Sequence, residues 1–544
     1  MLGLSCLRVL LLGLAITTSE AIPAGRRDTD SNSTVDLGYA VYQGSVNPQT
    51  NVQSFKGIRY AAPPLGELRF RAPEQPLAAQ GIQDATTFGS QCFQQGVGSR
   101  YANQTAALTA ARAGLNGSSE DCLFLNVYAP NGGNGQGLPV MVWIHGGGYT
   151  LGASNTFDPA YFYTRPESDY VIVTINYRLG VFGFLAGQEV KDGGALNAGI
   201  LDQQAALQWV QAHIDKFGGN PEDVTLYGES AGAGSILQHI IANGGNTQPP
   251  LFVGAIASSP FEPPQFYYND TVPQGIYQSL VDSVNCTNSN DTLECLREQD
   301  AANLATEGLL IINQQEPGDF LTVPVIDGEF ITDRPLEILR SGQFNGKYLW
   351  SHRNFNEGIV YGGSSFVPTN IGSNVTLQEQ YLNRSKPELS AYQQGQLIDV
   401  YDAQTFGSVQ VATEKLYSDG TFGCQSVWMA RAFQNQSYIS YLVIPGFGVH
   451  GGDLAFSWNA PQLLNMSAAY AGETQAYTDN INSFVVNHKP LNSDWIAFDD
   501  ANPTNFVWNV TQGTLAPDNE VRPLDQGFLG RCQLWSDLAP TLPL

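Results

Sequence analysis

The chain is short of positive charge: 25 lysines and arginines stand against 50 aspartates and glutamates, a formal net charge of −25 at pH 7. So acidic a surface repels phosphate backbones and anionic membranes, which argues against nucleic acid as a partner. Long apolar runs are also missing. Beyond the N-terminus no stretch reaches the roughly 18 uninterrupted apolar residues that a membrane helix needs, and no apolar tail of the lipid-anchor kind closes the chain, so no transmembrane segment is expected. There is no C-x-x-C pair and no histidine close to a cysteine, so neither a metal nor another cofactor is expected. Histidine itself is scarce, six in 544 residues, which makes elimination among them informative.

What is present points outside the cell. Arg8 precedes an apolar run from Val9 to Ile16, and small and polar residues then lead to Ala21, the pattern of a secretory signal too short to span a membrane. We read residues 1–21 as that signal, with the dibasic Arg26-Arg27 as a second place where the mature chain could begin. Removing Cys6 with the signal leaves Cys92, Cys122, Cys286, Cys295, Cys424 and Cys532, an even set that suggests three disulfides in a secreted protein. Eleven N-x-S/T sequons, from Asn32 to Asn509, agree with that compartment.

Apolar β-branched runs alternate with helical patterns through the first half, as in a doubly wound α/β sheet. Pro139–Ile144, Tyr170–Tyr177 and Val224–Tyr227 read as strands. Between the last two, Leu207, Val210 and Ile214 form one helical stripe that Gly218-Gly219 ends. The second half is loopier and weaker in periodicity. With no repeat and no clear linker, residues 22–544 read as one large α/β domain.

Gly228-Glu229-Ser230-Ala231-Gly232 fits G-x-S-x-G, a weak signal alone in a chain with 57 glycines. Its setting strengthens it: a strand precedes it and a helix opening on small residues follows, as a nucleophile elbow requires. A sharp turn that strains the serine needs nearly side-chain-free residues two places before and after. Upstream, His145-Gly146-Gly147-Gly148-Tyr149 ends a strand and exposes backbone N–H groups, so Gly147, Gly148 and Ala231 are the expected oxyanion donors.

A serine nucleophile needs a neutral imidazole, and in this fold the acid and the histidine follow the serine in sequence. His145 and His213 precede Ser230, and His239 lies too far along the following helix to turn back. Of the three that remain, His352 sits beside a possible acid loop and His488 at a helix end. His450, glycine-flanked in PGFGVHGGDLAF after an apolar run, is the base we expect. For the acid, Glu357 follows the short strand Tyr348–Trp350 through SHRNFN, but the second half holds many acids and the residues alone leave this choice open.

Together with FKGIRYAAPPLGELRF (Phe55–Phe70), EDCLFLNVYAP (Glu120–Pro130), NYRLGVFGF (Asn176–Phe184) and the block Asn197–Gly232, these motifs resemble the type B carboxylesterase and lipase family, which includes cholinesterases and large fungal lipases. The resemblance spans nearly all of the mature chain. It implies an α/β-hydrolase fold with a large, mostly parallel central sheet, helices on both faces and extended insertions. It also implies hydrolysis of small-molecule or lipid-like carboxylic esters, and Ser230, Glu357 and His450 as the triad. Among the fifteen pairings that six cysteines allow, the family pattern selects Cys92–Cys122, Cys286–Cys295 and Cys424–Cys532. Family ion pairs fall on Arg69 with Glu120 and on Arg178 with Asp202.

Two departures narrow the substrate. Cholinesterases hold a tryptophan for the quaternary ammonium in the loop closed by the first disulfide, and residues 93–121 contain none, which counts against choline esters. In the fungal lipases the same loop is a lid with an apolar face, whereas here the lid-like loop 92–122 is small and polar. Soluble or moderately apolar esters are therefore expected over fat droplets, with a triacylglycerol or sterol ester lipase as the alternative. A non-catalytic, cholinesterase-like binding protein is the rival of another class, disfavoured because no triad member is missing. Oligomeric state is not set by anything in the sequence.

Overall fold

The apolar runs of the first half build the middle of one sheet. In the computed structural model, which describes residues 32–96, 109, 113–132, 136–314, 318, 320–359, 377–459 and 468–543, the strands are β1 (Asn32–Asp36), β2 (Val41–Asn47), β3 (Val52–Arg59), β4 (Ile82–Asp84), β5 (Phe124–Pro130), β6 (Leu138–Ile144), β7 (Val171–Ile175), β8 (Gly219–Glu229), β9 (Gly254–Ser258), β10 (Tyr348–Asn354), β11 (Ser437–Leu442), β12 (Thr504–Trp508) and β13 (Glu520–Pro523). The expected signal, Arg26-Arg27 and much of the loop between Cys92 and Cys122 lie outside the described residues. Across the sheet the order is β1-β2-β3-β5-β7-β6-β8-β9-β10-β11-β12-β13, with β4 against β2. Every pairing from β7 to β12 is parallel, while along the order β1, β2, β3 and β5 on one side and β13 on the other run antiparallel to their neighbours, and β4 lies parallel to β2.

Five helices bear on the site: α1 (Ala198–His213), α2 (Ala231–Gly245), α3 (Val409–Ser418), α4 (Ala471–Asn487) and α5 (Gln526–Leu538). Period-two geometry along β6 sends Val140, Val142 and Ile144 to one face, among Ile200, Leu207 and Val210 of α1 and Ile236 and Ile240 of α2. Met141 and Trp143 go to the other, which they share with Tyr477, Ile481 and Phe484 of α4. Both faces are covered, which is why β7 and β9 are buried at every position and read as continuous apolar runs.

Strand order positions the site. The chain leaves β6 for β7 on one side and comes back to β8 on the other, so β6 and β8 flank the point where the sheet's winding reverses. Loops at the carboxyl ends of strands diverge there and leave a crevice. Register fixes the spacing, because Ile144, the last residue of β6, pairs with Gly228. The glycine loop from His145 and the turn at Ser230 thus leave the sheet side by side.

Two regions differ from the sequence reading. SHRN is not loop: β10 continues through Asn354, since its polar residues find partners inside the protein. His352 Nδ1 lies 2.6 Å from Ser440 Oγ on β11, and the imidazole is buried. The second half is also richer in helix than its periodicity suggested. Buried polar residues, such as Thr413, Thr474 and Thr478 on α3 and α4, blur the apolar stripe, and each of these hydroxyls hydrogen-bonds a carbonyl one turn back.

The three disulfides join Cys92 to Cys122, Cys286 to Cys295 and Cys424 to Cys532. Arg69 grips Glu120 through two hydrogen bonds of 2.5 and 2.8 Å. Arg178 meets Asp202 through two more, of 2.8 and 2.7 Å, while its backbone N–H donates to the same carboxylate at 3.0 Å. Arg178 and Asp202 are almost fully buried. Removing one partner strands a charge in the interior, so Asp202→Ala is expected to cost about 3–5 kcal/mol and to lower the denaturant midpoint correspondingly. An unchanged midpoint would show that water reaches the guanidinium.

Candidate active site

Between β8 and α2 the chain reverses within one residue. Ser230 has φ 56° and ψ −125°, a backbone conformation costing of order 1–3 kcal/mol for a residue with a side chain. The surroundings enforce it: the Ser230 N–H donates to Ser258 O at 2.9 Å, and Ser230 O accepts from Gly234 N at 2.8 Å. Both flanking glycines are sterically required. A Cβ on Gly228 would lie 2.5 Å from the carbonyl carbon of Gly232, and one on Gly232 would strike the carbonyl of Ile144 at the end of β6. The turn therefore locks onto the neighbouring strand, with the Ser230 hydroxyl at its apex.

Beside it, Gly147 and Gly148 have φ of +109° and +63°, conformations glycine adopts without strain. Gly147 O accepts from the N–H groups of Thr150 and Leu151, which holds the loop closed. Among the described residues no acceptor faces the N–H groups of Gly147, Gly148 or Ala231. The turn and the glycine loop thus offer three unused donors.

His450 reaches the serine from the loop after β11. Its Nε2 lies 2.8 Å from Ser230 Oγ, and its Nδ1 lies 2.8 Å from Glu357 Oε2. Glu357 is fully buried, in the turn after β10. Its other oxygen accepts from Ser259 Oγ at 2.8 Å and from the Asn354 N–H at 2.6 Å, which fixes the carboxylate and leaves Oε2 to face the imidazole. Of the other histidines, His239 bonds Gln203, and His488, at the end of α4, lies 3.1 Å from an Asp223 oxygen. Phe422 packs against the His450 ring at 4.4 Å, Phe261 stacks on Phe422 at 5.4 Å and meets Phe320 edge-on at 5.1 Å. A side chain at Gly148 would collide with Phe320, so this aromatic wall borders the glycine loop.

Sequence reasoning passed over several polar residues here. Glu229, the variable position of the motif, is buried with Oε1 3.4 Å from His450 Nε2 and no hydrogen bond to that oxygen. Burial pushes its carboxyl up to about 8. Asp453 accepts from Ser258 Oγ at 2.6 Å and from Asn354 Nδ2 at 3.2 Å. No local pattern marks Ser259, Asn354 or Asp453, since strands distant in sequence bring them together; only Glu229 carried a signal, its place beside the serine. Burial opposes charge on His450, but Glu229 and Glu357 outweigh it and raise the imidazole above its ordinary value, while His450 in turn holds Glu357 below the usual carboxylate range against its own burial. The coupling is mutual: an imidazolium favours the Glu229 carboxylate, and that carboxylate favours the imidazolium.

A serine hydroxyl, an imidazole and a carboxylate in line, with free N–H donors alongside, can carry out acyl transfer. Comparison with known proteins gives the same chemistry. The family model described as the carboxylesterase family matches residues 31–507. The chain belongs to the carboxylesterase family. It is 33% identical to Lipase 5 of Diutina rugosa over 73% of this chain and 74% of the lipase. Acetylcholinesterase of Electrophorus electricus is 35% identical over 63% of this chain and 54% of that protein. Among solved structures, Aspergillus niger EstA superposes with a TM-score of 0.79 at 27% identity, covering 94% of this chain and 99% of the other. A PNB esterase does so with a TM-score of 0.73 at 25% identity, over 92% and 99%. The α/β-hydrolase fold and hydrolysis of carboxylic esters follow from this membership.

With His450 as the expected base, the acid limb of kcat/KM would report loss of its proton. With the imidazole raised, that limb is expected above 6.5, the ordinary histidine value. Glu229 ionises only as the pH nears 8, and its ionised form favours the imidazolium, so Glu229→Gln is expected to move the limb slightly to lower pH. A limb unmoved in the variant would remove Glu229 from the electrostatics of the base.

Proposed function

We propose that this carboxylesterase is a secreted serine esterase in which Ser230 is the nucleophile, His450 the general base and acid, and Glu357 the group that orients the imidazole. The observation that carries the reading is the unbroken line from Glu357 Oε2 through His450 to Ser230 Oγ, with 2.8 Å at each step. His450 takes the hydroxyl proton as Ser230 attacks the ester carbonyl. Negative charge develops on the carbonyl oxygen, and the N–H groups of Gly147, Gly148 and Ala231 receive it, worth about 3–4 kcal/mol per donor in comparable sites. His450 then protonates the leaving alcohol. Water repeats the sequence on the acyl-enzyme and releases the acid.

The substrates we propose are soluble or moderately apolar esters with a short acyl chain. Phe261, Phe320 and Phe422 crowd the side of the site bordered by the glycine loop and limit the volume an acyl group can fill. The absent tryptophan argues against choline esters. The names of the Diutina rugosa relatives favour a lipase as the second reading. Secretion is supported by the leader-like N-terminus, by three disulfides and by exposed sequon asparagines at Asn116, Asn269, Asn290, Asn383 and Asn435.

Ser230→Ala is expected to lower kcat for a p-nitrophenyl butanoate by at least about 10⁴-fold with the thermal midpoint retained; substantial turnover would remove Ser230 as nucleophile. Across acyl lengths the rate should peak at short chains without a jump at an emulsion interface. Phe320→Ala should shift the octanoate-to-butanoate ratio of kcat/KM toward octanoate by roughly tenfold. An interfacial jump, or a ratio that ignores Phe320, would favour the lipase reading.

A further inference from the structure

Among the described residues, Arg353 is a buried cation with no hydrogen bond and no contact ion pair, its charge acting only at longer range on the Asp419 carboxylate. It lies on β10, paired in register with Tyr441 of β11, and is only 3% exposed. Its guanidinium is sandwiched between two rings, 3.6 Å from the centroid of Tyr441 and 4.2 Å from that of Phe528 on α5. Ring stacking satisfies the two faces of the planar cation and leaves its in-plane N–H edge to find acceptors. Among the described residues it finds none: Nε is buried with no hydrogen bond, and the terminal nitrogens make no hydrogen bond or ion pair. Only Nε is sealed from solvent, so the terminal nitrogens keep an open edge, and a bidentate oxyanion is the partner that fork matches.

A cavity of about 170 Å³ opens beside this edge. Such a space holds the equivalent of roughly five or six waters and lies below the size of typical drug-sized ligand sites. Its walls are mainly apolar and include Phe355, Phe406 and Val411. The charged groups facing it are Arg353, Lys415, Arg531 and Asp525. Lys415 and Arg531 share one carboxylate, Asp419, at 3.3 and 2.8 Å. Asp525 caps α5, accepting from Phe528 N at 2.6 Å. Cations therefore outnumber anions around the space, and Arg353, which acts on Asp419 only at longer range, is the one whose hydrogen-bonding edge is unused. The cavity is separate from Ser230. It shares with the active site the segment Arg353–Glu357, and Asn356, which lines it, forms a bridge with Val449 beside His450.

We propose that this cavity binds a small carboxylate with an apolar body, its two oxygens on the terminal nitrogens of Arg353 and its hydrocarbon among Phe355, Phe406 and Val411. Such a ligand supplies the hydrogen-bond acceptors that the guanidinium lacks and fills apolar space in one step. The acids released by ester hydrolysis belong to this chemical class, but the site stands apart from the catalytic serine and does not depend on its role.

Hexanoate is a suitable probe, titrated calorimetrically into the full-length protein, with hexanol and acetate as controls. Val411, 42% exposed on α3, can be enlarged without disturbing the core, so Val411→Trp closes the cavity and Arg353→Met removes the fork. Hexanoate is expected to bind more tightly than either control, and each variant should weaken it by roughly tenfold or more. Val411→Trp should leave hydrolysis of a butanoate ester unchanged. Equal binding of hexanol would mean apolar filling alone, and equal binding of acetate a simple anion site; either overturns the proposal. Hexanoate binding that survives Val411→Trp, or none in the parent protein, overturns it as well, and the Val411 variant decides the matter if Arg353→Met fails to fold.

Discussion

The active site depends on the close approach of Gly232 to the carbonyl of Ile144. Because β6 and β8 are neighbours in parallel register, the first turn of α2 presses against the end of β6, and no side chain fits between them. That contact holds Ser230 in its strained conformation and sets the glycine loop beside it, where the N–H groups of Gly147 and Gly148 make no hydrogen bond among the described residues. The strain is sustained by the sheet: β6 and β8 lie among apolar side chains packed on both faces, and shifting either strand would expose them.

Onto this rigid base the second half of the chain brings the charges. β10 and β11 end in the turns that carry Glu357 and His450, and the hydrogen bonds of Ser259 and Asn354 turn Glu357 toward the imidazole. A buried carboxylate with fixed donors supports a developing imidazolium far better than a solvated one does, because the surroundings need not reorganise as charge appears. Asp453 adds further negative charge close to His450, and Glu229, its carboxyl pushed up to about 8 by burial, adds its own as it ionises. The site thus concentrates acids around one histidine, and its electrostatics are a property of the cluster and not of the triad alone.

The parts legible in sequence were those written locally. The G-x-S-x-G elbow, the glycine loop and the strands around them are contiguous patterns whose spacing reflects direct steric need, as at Gly228 and Gly232. His450 emerged from elimination among few histidines. Glu357 did not, since a lone acid in a loop looks like any other until the strand before it is placed; only family resemblance singled it out. The supporting shell of Ser259, Asn354 and Asp453 was invisible because β9, β10 and the loop after β11 meet only in three dimensions. β10 was read too short for the same reason, its polar residues being satisfied by partners on β11 that no local pattern announces. Arg353 looked like part of a loop and is instead a buried cation between two rings.

The central claim is that Ser230 is the nucleophile, and covalent capture tests it most directly. Treating the protein with a fluorophosphonate and mapping the adduct by mass spectrometry should find one equivalent, on the peptide that contains Ser230, formed only while His450 is neutral. An adduct on another residue, or no adduct in a protein that still hydrolyses esters, would contradict the account.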